Sequence, residues 1–367
     1  MRNPGSPRRF SIAIGALAFF RLSTLLAQEA NSGIDLRATV SGEAVFAHEL
    51  TDSPRDGAPA AAGFRSMLYP TWKIGEHWNV SGAVEVESRP YFPGDFSTQG
   101  YGVKFYVLQA GVSYSRVGKK GSVVVRAGQM TSAFGAFLLR YDDADNPLLD
   151  MPMQYGYYYA GITSAGLAGA QIDATHGKWD GRIQFANSSP ANPRSIFASD
   201  QYANWAGGIG YTIRQGFRVG LSGYRGPYLD RQYVFYSPGE SNPRDLPASA
   251  GGADVEWARG HWNLYGEWQR FAMTYHVIPT FREDAGYVEA KRVLHPRWFV
   301  AARAGYLHGT YQTGGETYEA SVGYRPNAHQ LIKAGYSVER VRASGELDRV
   351  FGIQLVTMLH PLSLAWN

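Results

Sequence analysis

Apolar and polar side chains alternate along most of this 367-residue chain, and that alternation limits its fold more than any other feature. In IDLRATVSGEA, Ile34–Ala44, apolar or small residues take every second position, and Asp, Arg, Thr, Ser and Glu take the others. Residues two apart share one face of an extended strand, so the pattern predicts a strand with an apolar and a charged face. No segment has a comparable helical period, and we expect an all-β fold.

Sixteen segments carry this alternation, and the connections between them are alternately short and long. The segments lie near 34–48, 64–74, 77–90, 102–117, 122–134, 160–175, 179–188, 204–214, 217–228, 250–259, 261–272, 283–294, 298–309, 314–325, 329–341 and 347–359. Short turns follow the even-numbered segments, as at Gly75–Glu76 and Gln215–Gly216. In an up-and-down antiparallel sheet, such turns all lie at one end and the long loops at the other.

An aromatic residue follows several of the short turns. These residues are Trp78, Trp179, Phe217, Trp262 and Trp298. Their hairpin-sized spacing also fits the blades of a β-propeller, so the repeat by itself leaves the two folds open.

The N-terminus has the features of a secretory signal peptide. Arginines precede an apolar run at Phe10–Phe20, and Ala27 is a small residue suited to cleavage. We therefore expect a signal peptide at 1–27 and a single domain at 28–367. The absence of cysteine suits an exported protein.

The charge of the chain depends largely on this leader. Four of the 35 basic residues and none of the 31 acidic ones lie in 1–27, so the remainder carries 31 of each. This balance argues against a nucleic-acid partner.

Export, aromatic residues at strand ends and alternating connections together favour lipid as the partner of the apolar face. Lipid cannot satisfy an open sheet edge, so a spanning sheet must close. We therefore predict a transmembrane antiparallel up-and-down β-barrel of about sixteen strands, in the outer membrane of a Gram-negative-type bacterium. Its predicted lumen-facing residues are Arg37, Arg65, Glu85, Glu87, Arg182, Arg218, Glu267, Lys291, Arg303 and Lys333.

The chain resembles the sixteen-stranded outer-membrane porins and, more loosely, the phosphate-selective porins. The local resemblance lies in VRAGQMTSAFG, Val125–Gly135. It implies a homotrimer of water-filled pores whose third long loop folds into the lumen. That loop lies in QMTSAFGAFLLRYDDADNPLLDMPMQYGYYY, Gln129–Tyr159.

Opposed charges at such a loop would set ion preference, and we predict a pore constriction there. The predicted constriction residues are Arg126, Arg140, Asp142, Asp143, Asp145 and Asp150. Arg126 and Arg140 are the expected cations, and the aspartates are expected to face Arg126 or other basic residues. The alternative is a surface loop whose acids face water or bind divalent cations.

Two features depart from the phosphate-selective pattern. The loop is net acidic, whereas that pattern requires a ladder of Lys and Arg. The chain also ends LHPLSLAWN, so either Trp366 supplies the usual terminal aromatic one place early or the last strand stops near Leu359.

No motif indicates an enzyme. None of the nine histidines forms a metal-binding pair, and no serine lies in a recognisable nucleophile context. We predict no catalytic residue, metal or cofactor, and expect passive diffusion of small hydrophilic solutes or ions. The alternatives are a solute-specific channel for phosphate, another anion or sugar, and an outer-membrane enzyme or adhesin with a plugged barrel.

Overall fold

The computed structural model describes residues 32–47, 60–88, 102–156, 166–187, 203–227, 246–275, 279–359 and 361–366. The predicted signal peptide, 1–27, lies outside these ranges. The strand segments within them are β1 (Ser32–Ala47), β2 (Ala60–Ile74), β3 (Trp78–Ser88), β4 (Val103–Gly118), β5 (Gly121–Met130), β6 (Leu167–His176), β7 (Trp179–Ala186), β8 (Asn204–Arg214), β9 (Phe217–Pro227), β10 (Pro247–Arg259), β11 (Trp262–Met273), β12 (Phe281–His295), β13 (Trp298–Gly309), β14 (Gly314–Asn327), β15 (Gln330–Val341), β16 (Leu347–Met358) and β17 (Leu362–Trp366).

Helical structure in these ranges is short. A 3-10 turn spans Phe137–Arg140, an α-helical turn spans Met153–Gly156, and a second 3-10 turn spans Thr310–Gln312. Among the residues that the structure describes, no helix has the length and apolar character needed to cross a membrane.

The sheet closes on itself. Every strand from β1 to β15 pairs antiparallel with the strand that follows it. The first strand also pairs with both β16 and β17, which are two parts of one last strand. The predicted closed antiparallel barrel of about sixteen strands is therefore confirmed.

The last strand is interrupted rather than ended near Leu359. Met358 lies opposite Thr39, and after a short break Leu362 lies opposite Leu36. Pro361 falls in the break and has no backbone N–H to donate to the ladder. Trp366 lies in the resumed part, so the expectation that the last strand stops near Leu359 is wrong, and the role of Trp366 as the terminal aromatic stays a prediction.

The two faces of the barrel wall differ sharply in burial. In β1, Ile34, Val40 and Phe46 are exposed, whereas the alternate residues Ser41 and Glu43 are buried. We call these the apolar face and the charged face. Exposed apolar side chains and buried polar ones are the reverse of a soluble protein and are typical of a membrane-facing barrel.

The aromatic residues predicted after short turns begin alternate strands. Trp78, Trp179, Phe217, Trp262 and Trp298 are the first residues of β3, β7, β9, β11 and β13. Trp179 packs 4.7 Å from the ring of Tyr211, and Trp298 packs 4.5 Å from that of Tyr324. These pairs therefore occupy one rim of the barrel.

The fifth strand is shorter than predicted and ends at Met130. Beyond it, the Thr131 carbonyl accepts a 2.7 Å bond from the side-chain amide of Gln184, and Ala133 N donates to the same side chain at 3.0 Å. A side chain therefore replaces the neighbouring strand as the backbone's partner. The irregular segment begins four residues earlier than the alternation indicated.

Candidate functional site

The long irregular stretch Thr131–Gly156, which we call the acidic segment, contacts the charged face of nine strands. Its partners on the wall are Arg65 and Tyr69 of β2, Glu85 of β3, Arg182 and Gln184 of β7, Ser222 of β9, Glu267 and Gln269 of β11, Tyr287 and Glu289 of β12, Arg303 of β13, Ser321 of β14, and Lys333 of β15. The rest of the predicted loop, 157–159, lies outside the described residues.

The segment leaves the wall at Gly135, where two strands hold its backbone. Gly135 has a φ of 81°, which favours glycine, and a Cβ there would collide with the Tyr155 hydroxyl. The Gly135 carbonyl accepts from Arg182 of β7. Ala136 N donates to Glu267 Oε1 at 2.8 Å, and the Tyr155 hydroxyl donates to the same oxygen at 2.7 Å. Both ends of the segment therefore meet on β11.

Arg140 is buried against the wall. Its Nη1 donates to Glu289 Oε1 at 2.5 Å, its Nη2 donates to the Tyr287 hydroxyl at 2.9 Å, and its guanidinium lies 3.8 Å from the Tyr265 ring centroid. Burial lowers the pKa of Arg140, but Glu289 and the two tyrosines outweigh burial and raise it overall. Arg303 donates to the other oxygen of Glu289 at 3.0 Å. One carboxylate thus joins the segment to β12 and β13.

Asp143 forms a second buried ion pair. Arg65 Nη2 lies 2.6 Å from Asp143 Oδ1, and both side chains are at most 1% exposed. The Arg65 guanidinium also lies 4.7 Å from the ring centroid of Tyr141, whose hydroxyl donates to Glu85 Oε1 at 3.0 Å. Burial, then Glu85, raises the pKa of Tyr141 well above its ordinary value, so the hydroxyl remains a donor. This cluster ties the segment to β2 and β3.

Lys333 holds the centre of the segment. Its Nζ donates to the carbonyl oxygens of Asp143, Asn146 and Leu148 at 3.0, 3.0 and 2.9 Å. An ammonium group has three donors, and all three are used here. Because Lys333 is fully buried, these bonds fix the turn between Asp143 and Leu148 against β15.

Asp145 is the exposed acid of the segment. Its side chain is open to solvent, but the protein around it displaces part of the surrounding water; this partial desolvation, then Asp142, raises its pKa to about 6, whereas Lys291, Arg325 and Arg37 lower it. The segment therefore presents this carboxylate among cations carried by β12, β14 and β1.

The predicted pairing of the constriction charges needs correction. Arg140 faces Glu289 rather than the aspartates, because its side chain turns to the wall. Arg126 lies 3.3 Å from Asp173 on the neighbouring strand. Asp143 forms its ion pair with Arg65, a basic residue other than Arg126. The carbonyl of Asp150 accepts a 3.0 Å bond from Arg303.

Other charges predicted on the same face pair within the wall. Arg218 lies 2.7 Å from Asp180 and 2.6 Å from Asp254, while Glu87 is buried. In the part of the chain that the structure describes, no group of three or more His, Cys, Asp or Glu side chains could hold a metal ion.

Sequence reasoning missed Tyr69, Tyr287 and Arg325 as site residues. Tyr287 lies two residues before Glu289, and Arg325 lies four after Ser321. Both share the charged face by the same alternation that identified the others. The alternation therefore marked both positions as members of the charged face.

The fold and the charged face together define a closed barrel with the fold of outer-membrane porins. No family model matches the chain, and no curated protein matches it by sequence. The chain is similar to Pseudomonas putida OprB, with a TM-score of 0.63 and 12% identity over 94% of this chain and 97% of that one. At such identity, the likeness shows the fold alone.

Two further solved structures give the same result. A loop-deleted form of OmpT, an outer membrane protein of Vibrio cholerae, has a TM-score of 0.59 and 12% identity, with 90% of this chain and 100% of that one covered. An anion-selective porin from Comamonas acidovorans has a TM-score of 0.55 and 12% identity, with 89% and 100% covered.

Proposed function

We propose that this protein is an outer-membrane porin through which small hydrophilic solutes or ions diffuse down their own gradients. The acidic segment carries the proposal, because it contacts the charged face of nine of the sixteen strands. Glu85 on β3 and Glu267 on β11, eight strands apart in a ring of sixteen, both bond to it. Such contacts support a path across the enclosed space, where the segment narrows a pore.

In this proposal the charged face lines the lumen and the apolar face meets lipid. A sixteen-stranded barrel is wide enough to leave an aqueous channel. Passive diffusion through it requires neither covalent chemistry nor a cofactor. Ion preference then depends on the charges that remain open to the channel.

The buried and exposed residues of the predicted constriction take different roles here. Arg140, Asp142 and Asp143 are buried and fix the position of the segment. Asp145 is exposed, and the Arg126 side chain is 27% exposed. These last two contribute most directly to the field in the channel.

Export through the signal peptide at 1–27 and assembly as a homotrimer complete the proposal. Exposed apolar side chains such as Ile183, at 53%, and Val288, at 64%, support a surface that contacts lipid or further copies. A solved OmpT structure is described as a trimer form. Cross-linking of the purified protein in detergent tests the assembly, and a purely monomeric product contradicts it.

Single-channel conductance in a planar bilayer tests the pore. We expect stable open steps from the wild-type protein and larger, noisier steps from Lys333→Met, since three carbonyl anchors of the segment are lost. Lys73→Met is the matched control, because Lys73 pairs with Asp35 at 3.5 Å and holds no part of the segment in that contact. Folded wild-type protein without conductance would overturn the pore in favour of a plugged barrel serving as an enzyme or adhesin.

A further inference from the structure

Exposed basic side chains are concentrated at the rim of the barrel where the short turns lie. Eight exposed Lys and Arg residues lie in or near these turns, whereas Glu76 is the one exposed acid among the described residues of this rim. We call the eight the basic arc, and they are Arg116, Lys119, Lys120, Lys178, Arg214, Arg259, Arg292 and Arg297.

The other acids near this rim are matched by cations outside the basic arc. Asp35 lies 3.5 Å from Lys73, Asp173 lies 3.3 Å from Arg126, Asp180 lies 2.7 Å and Asp254 2.6 Å from Arg218, and Glu256 lies opposite Arg218 in the ladder. Among the residues that the structure describes, no ion pair includes a member of the basic arc. The neighbouring acids therefore leave its positive charge uncompensated.

The basic arc covers five consecutive hairpins. Its members lie at the turns that join β4 to β5, β6 to β7, β8 to β9, β10 to β11 and β12 to β13. The turn from β2 to β3 carries Glu76 instead, and the turn from β14 to β15 adds no exposed cation. The uncompensated charge is therefore confined to one side of this rim.

Two arginines of the arc lie on either side of an exposed tryptophan. Arg259 of β10 and Arg292 of β12 are both opposite Trp262 of β11, whose side chain is 41% exposed. The Arg292 guanidinium lies 5.1 Å from the Trp262 ring centroid. Neighbouring strands are about 4.8 Å apart, so roughly 10 Å separates the two arginine backbones. Two long side chains can approach one ligand across that distance.

Lys178 has a similar aromatic neighbour in another hairpin. Its Nζ lies 5.9 Å from the ring centroid of Tyr211 and donates to the Ile213 carbonyl at 3.1 Å. Tyr211 itself packs against Trp179. Tryptophan and tyrosine favour the interface between membrane and water, and long basic side chains extend from apolar surface to the head groups. These cations therefore lie at the depth of lipid head groups.

We propose that the basic arc binds the phosphate groups of anionic phospholipids in the periplasmic leaflet, with Arg259 and Arg292 as a clamp on either side of Trp262. The short turns of bacterial barrels face the periplasm. A guanidinium group donates two parallel hydrogen bonds to phosphate oxygens, and each basic residue near an anionic lipid surface adds attraction. The aromatic rings beside these cations favour a lipid over a soluble polyanion. The inference depends on insertion in the membrane and not on conduction.

Native mass spectrometry of the detergent-solubilised protein, titrated with phosphatidylglycerol or phosphatidylcholine, tests this site. We expect the wild type to bind phosphatidylglycerol in preference to the neutral-headed phosphatidylcholine. The double variant Arg259→Gln with Arg292→Gln should bind phosphatidylglycerol about 25-fold more weakly, or about fivefold for each lost charge.

Arg225→Gln with Arg282→Gln is the matched control. It removes two exposed arginines from the loop-side end of the apolar face, where Arg225 also lies opposite an exposed tryptophan, Trp205. We expect this variant to keep the wild-type affinity. If Arg259→Gln with Arg292→Gln fails to fold by circular dichroism, Lys119→Gln with Lys120→Gln provides the second test and should also weaken phosphatidylglycerol binding.

Three results would overturn the lipid site. One is equal affinity of the wild type for the two lipids, and another is an equal loss in the turn-rim variant and the control. The third is tighter binding of poly-L-glutamate than of phosphatidylglycerol, which would assign the arc to a soluble acidic partner. A wild-type protein that conducts nothing while it still prefers phosphatidylglycerol would overturn the pore and support the lipid site.

Discussion

Arg65 and Asp143, 78 residues apart in sequence, are joined by two hydrogen bonds in a nearly water-free environment. Arg65 Nη2 donates to Asp143 Oδ1 at 2.6 Å, and Nε donates to Oδ2 at 3.2 Å. This bidentate arrangement couples the acidic segment to β2 with both distance and orientation defined. Removing each ion from water costs free energy, and the attraction between the two ions offsets that cost. Removing one partner therefore leaves the other as an uncompensated buried charge.

Breaking this pair from one side should destabilise the barrel. Asp143→Asn removes the closer of the two carboxylates that compensate Arg65, the other being Glu85 at 3.5 Å, and we expect the free energy of unfolding to fall by about 3–5 kcal/mol. Denaturant unfolding in detergent, followed by tryptophan fluorescence, measures the change. The triple variant Arg65→Met, Asp143→Leu and Glu85→Gln, which removes all three charges of the cluster, should recover much of the loss. Equal stability of Asp143→Asn and the wild type would show that the pair does not hold the segment.

Gly135→Ala should loosen the start of the acidic segment. The new Cβ meets the Tyr155 hydroxyl and adds strain at a φ of 81°, which by itself costs about 1–3 kcal/mol. We expect a lower unfolding midpoint together with larger conductance steps. Gly177→Ala is the control, since Gly177 has a φ of 59° but open space around its Cβ. If both variants behave alike, backbone strain explains the effect and the collision does not.

The selectivity of the pore should depend on pH through Asp145. Partial desolvation by the surrounding protein, then Asp142, raises its pKa to about 6, while Lys291, Arg325 and Arg37 lower it. Below that pH the carboxyl is protonated, so its negative charge is lost and the cations dominate. We expect the reversal potential to shift towards anions as pH falls from about 7 to about 5.

The same titration has a defined sign for stability. An acid with a raised folded-state pKa binds its proton more tightly when folded, so this group opposes folding more as pH rises towards about 6.

Asp145→Asn should remove the step in reversal potential across that range. A step of unchanged size in this variant would assign the titration to another group.

Glu283 should be replaceable with a gain in stability. Both of its carboxylate oxygens are buried without a hydrogen-bond partner among the residues described, and Phe271 and Gly309 lie opposite it on β11 and β13. A buried polar group without a partner costs about 1–3 kcal/mol. Glu283→Leu is therefore expected to raise the free energy of unfolding by a similar amount.

Glu289→Leu is the contrasting variant for this experiment. Its oxygens accept from Arg140 and Arg303, so its removal leaves two buried cations without their shared partner. We expect a loss of stability there, again measured by denaturant unfolding. A loss of similar size in Glu283→Leu would mean that the Glu283 carboxyl has a stabilising role.

Strand boundaries were predictable where side chains alternate and failed where a side chain replaced a neighbouring strand. The first strand, expected near 34–48, spans Ser32–Ala47. The fifth, expected to reach 134, ends at Met130, because Gln184 takes over the backbone bonds of Thr131 and Ala133. This substitution of a side chain for a neighbouring strand depends on a residue some fifty positions away, so the sequence around Thr131 does not indicate it.

The sequence by itself determined the two faces of the wall, because successive side chains of a strand point to opposite sides whatever their partners are. It therefore placed Glu85, Arg303 and Lys333 on one face and indicated a closed barrel. Only the tertiary structure decided which charges are buried and which remain open. Asp143 and Asp145 are near neighbours in sequence, but the contacts of the folded segment with the wall bring Arg65 of β2 to one and leave the other exposed. Contacts between the segment and strands far from it in sequence set these environments, and no local pattern encodes them.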